Sequence, residues 1–234
     1  MNEEWLRLLN ETFYNQKDGF MGVNELVRRL KRHVPSRIVR EWYRQQTINQ
    51  IIVPKRIRIE YHKTIGDGHG YQGDILFLPY PRLNKGFIGL LTFINTSTRK
   101  ASVAEIKSRT TEELLDIIQV WIDHVESTDG KVNSIATDNE LYNNRAISRL
   151  FDDNGVEHFV ETAGEHTKLG IINRFHRTLR DLLNKMMTHD NSKKWIDYIG
   201  DVIHNYNHRI HRTLGKSPIE MSLDDVGRLN ISRG

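Results

Sequence analysis

Apolar residues recur at helical spacing over the first 50 positions, and this pattern predicts three short helices. The second begins near Val23 and ends before Pro35, and Ser36 is then expected to cap the third. Basic residues crowd these two helices and the turn between them: Arg28, Arg29, Lys31, Arg32, Arg37, Arg40 and Arg44. Two short basic helices around a tight turn predict a small all-α, helix-turn-helix-like domain over residues 1–50.

The pattern changes after a basic, extended stretch that is interpreted as a linker at residues 51–66. Short runs of apolar and β-branched residues then predict strands, and longer amphipathic segments predict helices. The predicted strands are 71–80, 86–95, 100–108, 132–140 and 157–161, and the predicted helices are 111–126, 144–151, 171–187 and 192–208. The order of three strands, helix, strand, helix, strand, helix is typical of an α/β fold, a mixed sheet with helices packed over it.

Composition removes several classes of protein and site. The chain contains no run of about 18 apolar residues, so a membrane span is not expected. It contains no cysteine, which excludes disulfides and any zinc site that needs thiolate ligands. The paired histidines His204 and His208 lie one helical turn apart, but no acidic or thiol partner is near them in sequence, so no zinc is expected.

Positive charge is concentrated at the start of the chain. Residues 1–66 carry 13 Lys or Arg against 7 Asp or Glu, whereas the rest carries 21 against 23. A basic module of this kind favours a polyanion as partner, because binding releases counterions. The alternative is that the arginines only solvate the surface of a three-helix packing module. The concentration of charge on the helix-turn-helix-like segment favours DNA contacts through Arg37, Arg40 and Arg44.

Two carboxylates stand at positions suited to metal chemistry. Asp74 lies inside a predicted strand, and Asp138 lies at the carboxyl end of another. Either residue alone is readily explained as exposed to solvent. If the two strands are neighbours, however, the pair can hold divalent metal for phosphoryl transfer, and oxygen ligands favour Mg²⁺ or Mn²⁺.

Four segments in order resemble the catalytic core of retroviral and retrotransposon integrases, the rve-type integrase superfamily. They are GYQGDILFLP, IATDNE, HTKLGIINRFHRTLR and NYNHRIHRTLGKSPIE, and the N-terminal text looks most like Polinton/Maverick-type and related viral integrases. The resemblance implies an RNase H-like, mixed five-stranded sheet with flanking helices over residues 67–225, followed by a tail at 226–234. It also implies an Asp, Asp, Glu triad that holds the metal ions.

Asp74 and Asp138 match the first two acids of that triad, but the third position is Asn173. With 34 residues between Asp138 and Asn173 the spacing fits, whereas the residue type does not. Asn can still coordinate a hard cation, but it carries no charge and reaches less far than Glu. Three explanations are open: a deliberate inactivating change, a natural loss of activity, or replacement by another group. The candidates for that replacement are Glu165 and His176.

The helix predicted from Ile171 to Met187 is amphipathic. Its core face is predicted to contain Ile172, Phe175, Leu179, Leu182 and Met186. Asn173, His176, Arg177 and Arg180 are predicted on another face, where the last three could meet a phosphate backbone. Lys168 resembles the family position that contacts the DNA end. The alternative for each basic residue is a solvated charged stripe.

The sequence thus predicts a DNA integrase, a polynucleotidyl transferase that processes 3′ ends and transfers them into target DNA, with an inactivated variant favoured by Asn173. The alternative is a catalytically dead, integrase-derived DNA-binding protein, and a metal-dependent nuclease is a weaker option. The expected cofactor is Mg²⁺ or Mn²⁺. The expected partners are element-end and target duplex DNA and further copies of the chain, as a dimer or tetramer, with no membrane. If the chain is encoded by a virus or transposon, its expected location is the host nucleus. The additional domain that often follows the family's core is not found before Gly234, so target choice is expected to depend on sequence outside this chain.

Overall fold

The computed structural model describes residues 2–51, 68–160 and 169–231. These residues form two compact units. The first contains the described residues up to 51 together with 178–208, and the second contains 68–160, 169–177 and 209–231. The predicted linker therefore lies almost entirely outside the described residues, and the predicted domain limits of 1–50, 51–66, 67–225 and 226–234 stay predictions.

The first unit is entirely helical. Its N-terminal elements are α1 (Glu3–Phe13), α2 (Val23–Leu30), α3 (Ser36–Gln45) and α4 (Thr47–Ile51). Phe13 is fully buried and meets the Trp42 ring edge-on, with centroids 5.5 Å apart. The second part of α8 (Gly170–His189) and the later α9 (Ile199–His208) belong to the same unit, where Tyr14 stacks on His189. Aromatic burial of this kind stabilises a small helical core.

Two helix starts differ from the prediction. Pro35, not Ser36, occupies the N-cap position of α3, and no side chain caps that helix. The expected helix over 192–208 begins as a 3-10 turn at Trp195–Tyr198 and becomes α-helical only at Ile199. A fixed proline φ suits the residue that precedes a helix, so Pro35 takes the place that the capping preference assigns to serine.

The second unit is built on a five-stranded sheet in the order β3-β2-β1-β4-β5. Its strands are β1 (Gly70–Phe77), β2 (Gly89–Asn95), β3 (Ala101–Ile106), β4 (Ser134–Thr137) and β5 (Glu157–Val160). The first three strands pair antiparallel, whereas β4 and β5 run parallel to β1. This is the predicted mixed α/β sheet, and its topology makes β1 and β4 neighbours.

Helices accompany the sheet as the sequence pattern predicts. They are α5 (Thr111–Thr128), α6 (Asn139–Tyr142), α7 (Arg145–Asp153), the first turns of α8 and the C-terminal α10 (Leu223–Ile231). The short α6 directly after β4 was not predicted. The main core packs α5 and α7 on one face of the sheet, with Leu91, Phe93 and Ile135 pointing into it. None of the helices within the described ranges is long and apolar enough to cross a membrane.

Candidate functional site

The register of β1 and β4 brings the two aspartates to the same level of the sheet. Gln72 pairs with Ala136 in the parallel ladder. Two residues further along each strand are Asp74 and Asp138, the latter directly after the end of β4. Because side chains alternate between faces, a step of two returns to the same face on both strands. Asp74 on β1 and Asp138 directly after the neighbouring β4 are therefore at the same level along the two strands.

Gln72 shows which element packs on the sheet face that carries Asp74. Its side-chain oxygen accepts a hydrogen bond of 2.9 Å from the backbone N–H of Ile172, in the first turn of α8. The first N–H groups of a helix lack intrahelical partners, so this contact fastens the start of α8 to β1. The face that carries Gln72 and Asp74 is thus the face against which α8 begins.

Asn173, the residue after Ile172, lies on the exposed side of the same turn. Its backbone N–H donates a 3.1 Å hydrogen bond to the Leu169 carbonyl, as expected within the first turn of a helix. The residue at the third triad position thus directly follows Ile172, whose backbone N–H is bonded to Gln72 of β1. Lys168 and Glu165, the other candidates from this segment, lie outside the described residues.

His176 departs from its expected exposure. It was predicted on a surface face with Arg177 and Arg180, which are exposed, but it is only 5% exposed. Its Nδ1 lies 3.6 Å from Asp74 Oδ2, and its Nε2 lies 2.7 Å from the hydroxyl of Thr92. The ring is buried where it meets the polar Thr92 of β2. The ring thus faces Asp74, although a direct contact with DNA was expected.

Thr92 and Gln72 are the polar residues of this site that sequence reasoning missed. Thr92 is fully buried, pairs with Asp74 in the β1–β2 register and donates a 2.7 Å hydrogen bond to the Asp74 backbone carbonyl. Each is a hydrogen-bonding residue in an otherwise apolar strand, on the same face as Asp74. The spacing of two residues between Gln72 and Asp74 could have identified Gln72, whereas Thr92 is placed only by the β1–β2 register.

Asp138 has a second role as the N-cap of α6. One carboxylate oxygen accepts a 3.1 Å hydrogen bond from the backbone N–H of Leu141. Capping fixes the orientation of the side chain at the end of β4. Among the residues the structure describes, no three His, Asp or Glu side chains are grouped closely enough to hold one metal ion.

Two other histidines of this unit are held in their neutral form. Burial lowers the pKa of His158 to about 4, with a smaller opposing effect from Asp152, and its ring lies between the hydroxyls of Thr137 and Ser148. Burial also lowers the pKa of His211 to about 4, and the positive charges of Arg99 and Arg174 add to the effect. Each ring would be charged more easily in the unfolded chain.

Stability of this unit should therefore fall in mild acid. The unfolded histidine pKa is near 6.5, so between about pH 6.5 and 4 the unfolded chain binds protons that the native chain does not. Because solvent still screens both rings, we expect a loss of about 1–2 kcal/mol per ring over this window. Urea unfolding at a series of pH values measures it. His211→Asn should flatten the slope of unfolding free energy against pH, whereas His204→Asn, at an exposed position, should not. Equal slopes in the unaltered chain and both variants would contradict the role assigned to His211.

The predicted DNA-contacting arginines of the first unit share one exposed helix face. Arg37, Arg40 and Arg44 are exposed on α3 at spacings of three and four residues. On α2, by contrast, Arg28 and Arg29 both pair with Glu25, which offsets part of their charge. Arg40 also donates to Asn24 at 3.1 Å. The outer face of α3 thus carries three exposed arginines.

Comparison with known proteins identifies the fold. No protein-family model matches the chain. An uncharacterised transposon-derived protein of Caenorhabditis elegans is 26% identical over 146 residues, which span 62% of this chain and 50% of that protein's length. The chain thus spans about half the length of this curated relative.

Three solved structures are similar at 17–20% identity. A chain of the simian T-cell lymphotropic virus intasome, solved with PP2A regulatory subunit B56 gamma, has a TM-score of 0.58 over 86% of this chain and 70% of that one. The HTLV-2 integrase catalytic core with magnesium has a TM-score of 0.52 in its trimeric form, over 65% of this chain and 95% of the core. Its dimeric form also has a TM-score of 0.52, over 68% and 98%. The mixed five-stranded sheet with flanking helices therefore has the RNase H-like fold of retroviral integrase catalytic cores.

Proposed function

We propose that the chain is a DNA integrase, a metal-dependent polynucleotidyl transferase that processes DNA 3′ ends and joins them to target DNA. The observation that carries the proposal is the β1–β4 register, which aligns Asp74 with Asp138 on adjacent strands. Asn173 is proposed as the third group, because it directly follows Ile172, whose backbone N–H is bonded to Gln72 of β1. Similarity to retroviral integrase cores and to a transposon-derived protein supports an integrase-like function.

The donor set fits a hard divalent cation. Asp74 and Asp138 offer carboxylate oxygens and Asn173 an amide oxygen, which suit Mg²⁺ or Mn²⁺. Mg²⁺ commonly uses one or two carboxylates and completes its shell with water and substrate phosphate, so two aspartates suffice to hold it. Bound there, the cation would supply Lewis-acid stabilisation of the charge on the transferred phosphate. The HTLV-2 core was solved with magnesium, which supports this choice of ion.

The protein's own residues divide the remaining tasks. The Thr92 hydroxyl donates a hydrogen bond to the backbone carbonyl of Asp74 and fixes the strand there. The backbone N–H of Leu141 in α6 donates to the Asp138 carboxylate and orients it. Arg177 and Arg180, both exposed on α8, and the exposed arginines of α3 provide positive charge for a phosphate backbone. These groups position DNA without reading its sequence. Concerted joining needs two ends, so we propose a multimer that acts, if the chain is encoded by a mobile element, in the host nucleus.

Asn173 favours a second candidate, an integrase-derived protein that binds DNA ends without joining them. The third position of the triad here lacks a negative charge, and the amide reaches less far than a glutamate. Neutralisation at the reacting phosphate is therefore weaker. The exposed arginines of α3 and α8 would serve this function unchanged.

The test is a strand-transfer assay with labelled duplex ends in Mn²⁺. Asp138→Asn should lower the yield of joined product by at least about 10²-fold, the scale seen when one preorganised electrostatic group is removed. Asp153→Asn, an exposed aspartate of α7, is the matched control and should retain activity. The unaltered chain and both variants are also assayed with Asn173→Glu added, because a higher starting yield makes a loss of joined product easier to measure. Tight DNA binding without joined product in every protein would favour the second candidate.

A further inference from the structure

Exposed aromatic side chains lie where β1 ends and the chain turns back towards β2. Phe77, the last residue of β1, and Tyr80 are each 48% exposed, although a phenylalanine ring is usually buried. Segment 77–87, FLPYPRLNKGF, adds the exposed Arg82 and Lys85 and contains no acidic residue. Aromatic rings among purely basic charge favour a polyanion that has flat apolar faces, which is the chemistry of nucleic acid.

Two further cations lie against aromatic rings on this surface. The guanidinium of Arg109 lies 5.5 Å from the centre of the Phe77 ring, and Lys107 Nζ lies 5.1 Å from that of Phe87. Glu113 fixes their segment by accepting a 2.8 Å hydrogen bond from the Lys107 backbone N–H. Phosphate-binding groups therefore lie next to stacking surfaces, as in proteins that bind single-stranded nucleic acid. The aromatic patch consists of Phe77, Tyr80, Arg82, Lys85, Lys107 and Arg109.

The backbone holds Tyr80 in a conformation that is unfavourable for any residue with a side chain. Its φ of 62° lies in the left-handed region. The side-chain amide of the fully buried Asn84 donates a 2.8 Å hydrogen bond to the Tyr80 carbonyl, which also accepts from the Leu83 N–H at 3.0 Å. Strain of this kind persists where the surrounding structure fixes it, and it is concentrated at ligand-binding segments. The loop thus holds Tyr80 in place before any partner binds.

The aromatic patch adjoins the proposed catalytic aspartates. Asp74 and Asp138 are level in the β1–β4 register, and Phe77 is three residues further along β1, about 10 Å at the usual rise of a strand. An odd step places the Phe77 ring on the opposite face, so a DNA strand would reach it by passing over the end of β1. Arg109 connects the patch to α6, because it also pairs at 2.7 Å with Glu140, two residues after Asp138.

We propose that the aromatic patch binds unpaired nucleotides of the DNA whose reacting phosphate is held at Asp74 and Asp138. Bases within a duplex stack on one another, so only unpaired bases offer a face to Phe77 and Tyr80. The basic side chains of the patch contact the phosphates between these bases. The inference rests on the proposed function, which supplies the DNA, and it adds the feature that is recognised: a single-stranded segment beside the reacting end.

The direct test is photo-cross-linking of the full chain to a duplex with a single-stranded tail that carries 5-iododeoxyuridine, at the 5′ or the 3′ end in turn. Irradiation joins this base to an aromatic side chain stacked on it, and mass spectrometry of the peptides identifies the residue. The protein is unaltered, so the test carries no folding risk. We expect cross-links at Phe77 or Tyr80. Cross-links confined to other peptides would overturn the proposal.

Paired substitutions separate stacking from apolar contact. Phe77→Leu with Tyr80→Leu keeps apolar bulk but removes both ring faces. Affinity for the tailed duplex should then fall by at least about five-fold, the lower limit for loss of one stacked base, while affinity for a blunt duplex changes by less than about two-fold. Phe77→Tyr with Tyr80→Phe keeps both rings and should bind the tailed duplex as the unaltered chain does.

Two results with these variants would contradict the proposal. Equal weakening of tailed and blunt duplex binding in the leucine variant would indicate a surface for duplex DNA instead. Unchanged DNA binding with loss of self-association in sedimentation would assign the patch to contacts between copies of the chain.

The result is independent of the strand-transfer assay. Cross-linking at the patch in a chain that forms no joined product supports this inference and counts only against the catalytic part of the proposed function. Joined product from a chain whose tail cross-links elsewhere overturns this inference and leaves the integrase proposal intact.

Discussion

Asn173→Glu should raise the rate of strand transfer in Mn²⁺ by at least about ten-fold and as much as about 10²-fold, the range for one electrostatic group at a reacting centre. Glutamate adds a negative charge and one methylene of reach at the third triad position. Because Asn173 is exposed on α8 and glutamate is the better helix former, the change should not weaken the fold. Single-turnover appearance of joined product from labelled duplex ends measures it.

Two companion variants give this prediction its controls. Asn173→Gln has the length of glutamate without its charge. A higher strand-transfer rate in Asn173→Glu alone would assign the effect to charge, whereas a higher rate in both variants would assign it to reach. Asn173→Glu combined with Asp74→Asn should be inactive, because the added carboxylate needs its partners. No gain in Asn173→Glu, with DNA binding retained, would count against the triad and for a protein that only binds DNA ends.

The elements of the second unit could be predicted from the sequence because their patterns are local. Apolar runs of strand length predict β1, β2 and β3, and the amphipathic period of α8 predicts its core face. Ile172, Phe175, Leu179, Leu182 and Met186 are all buried as predicted. The mixed α/β sheet follows from the order of these elements, the resemblance implies the RNase H-like fold, and the similar solved structures confirm it.

The details of the site depend on contacts between segments far apart in the chain. The sequence could state only that Asp74 and Asp138 meet if their strands are neighbours, because register is a property of a strand pair. The burial of His176 could not be predicted from helical spacing, since it results from Thr92 lying beneath it, 84 positions away in the chain. Division of α8 between two compact units is likewise invisible in its uninterrupted helical period.

Trp121 shows the same limit within the main core. Spacing on α5 predicts an apolar face of Leu114, Leu115, Ile118 and Ile122, yet Leu115 is only partly buried. Trp121, which also lies on that face, is 5% exposed and stacks on Phe93 of β2 with ring centroids 4.0 Å apart and planes inclined by 7°. Tyr71 of β1 meets the same ring edge-on at 5.2 Å. Trp121 is thus the side chain that joins α5 to two strands of the sheet.

Trp121→Ala should therefore lower the free energy of unfolding of the second unit by about 3–5 kcal/mol, because it leaves a cavity between Phe93 and Tyr71. Trp121→Phe should lower it by less than about 1.5 kcal/mol, since it keeps an aromatic ring in the stack. It also removes the indole N–H, which is buried without a hydrogen-bond partner in the described chain. Urea unfolding followed by circular dichroism measures both, with an unchanged m-value as the check that the same surface unfolds. Equal losses in the two variants would mean that the stack on Phe93 does not hold α5 to the sheet.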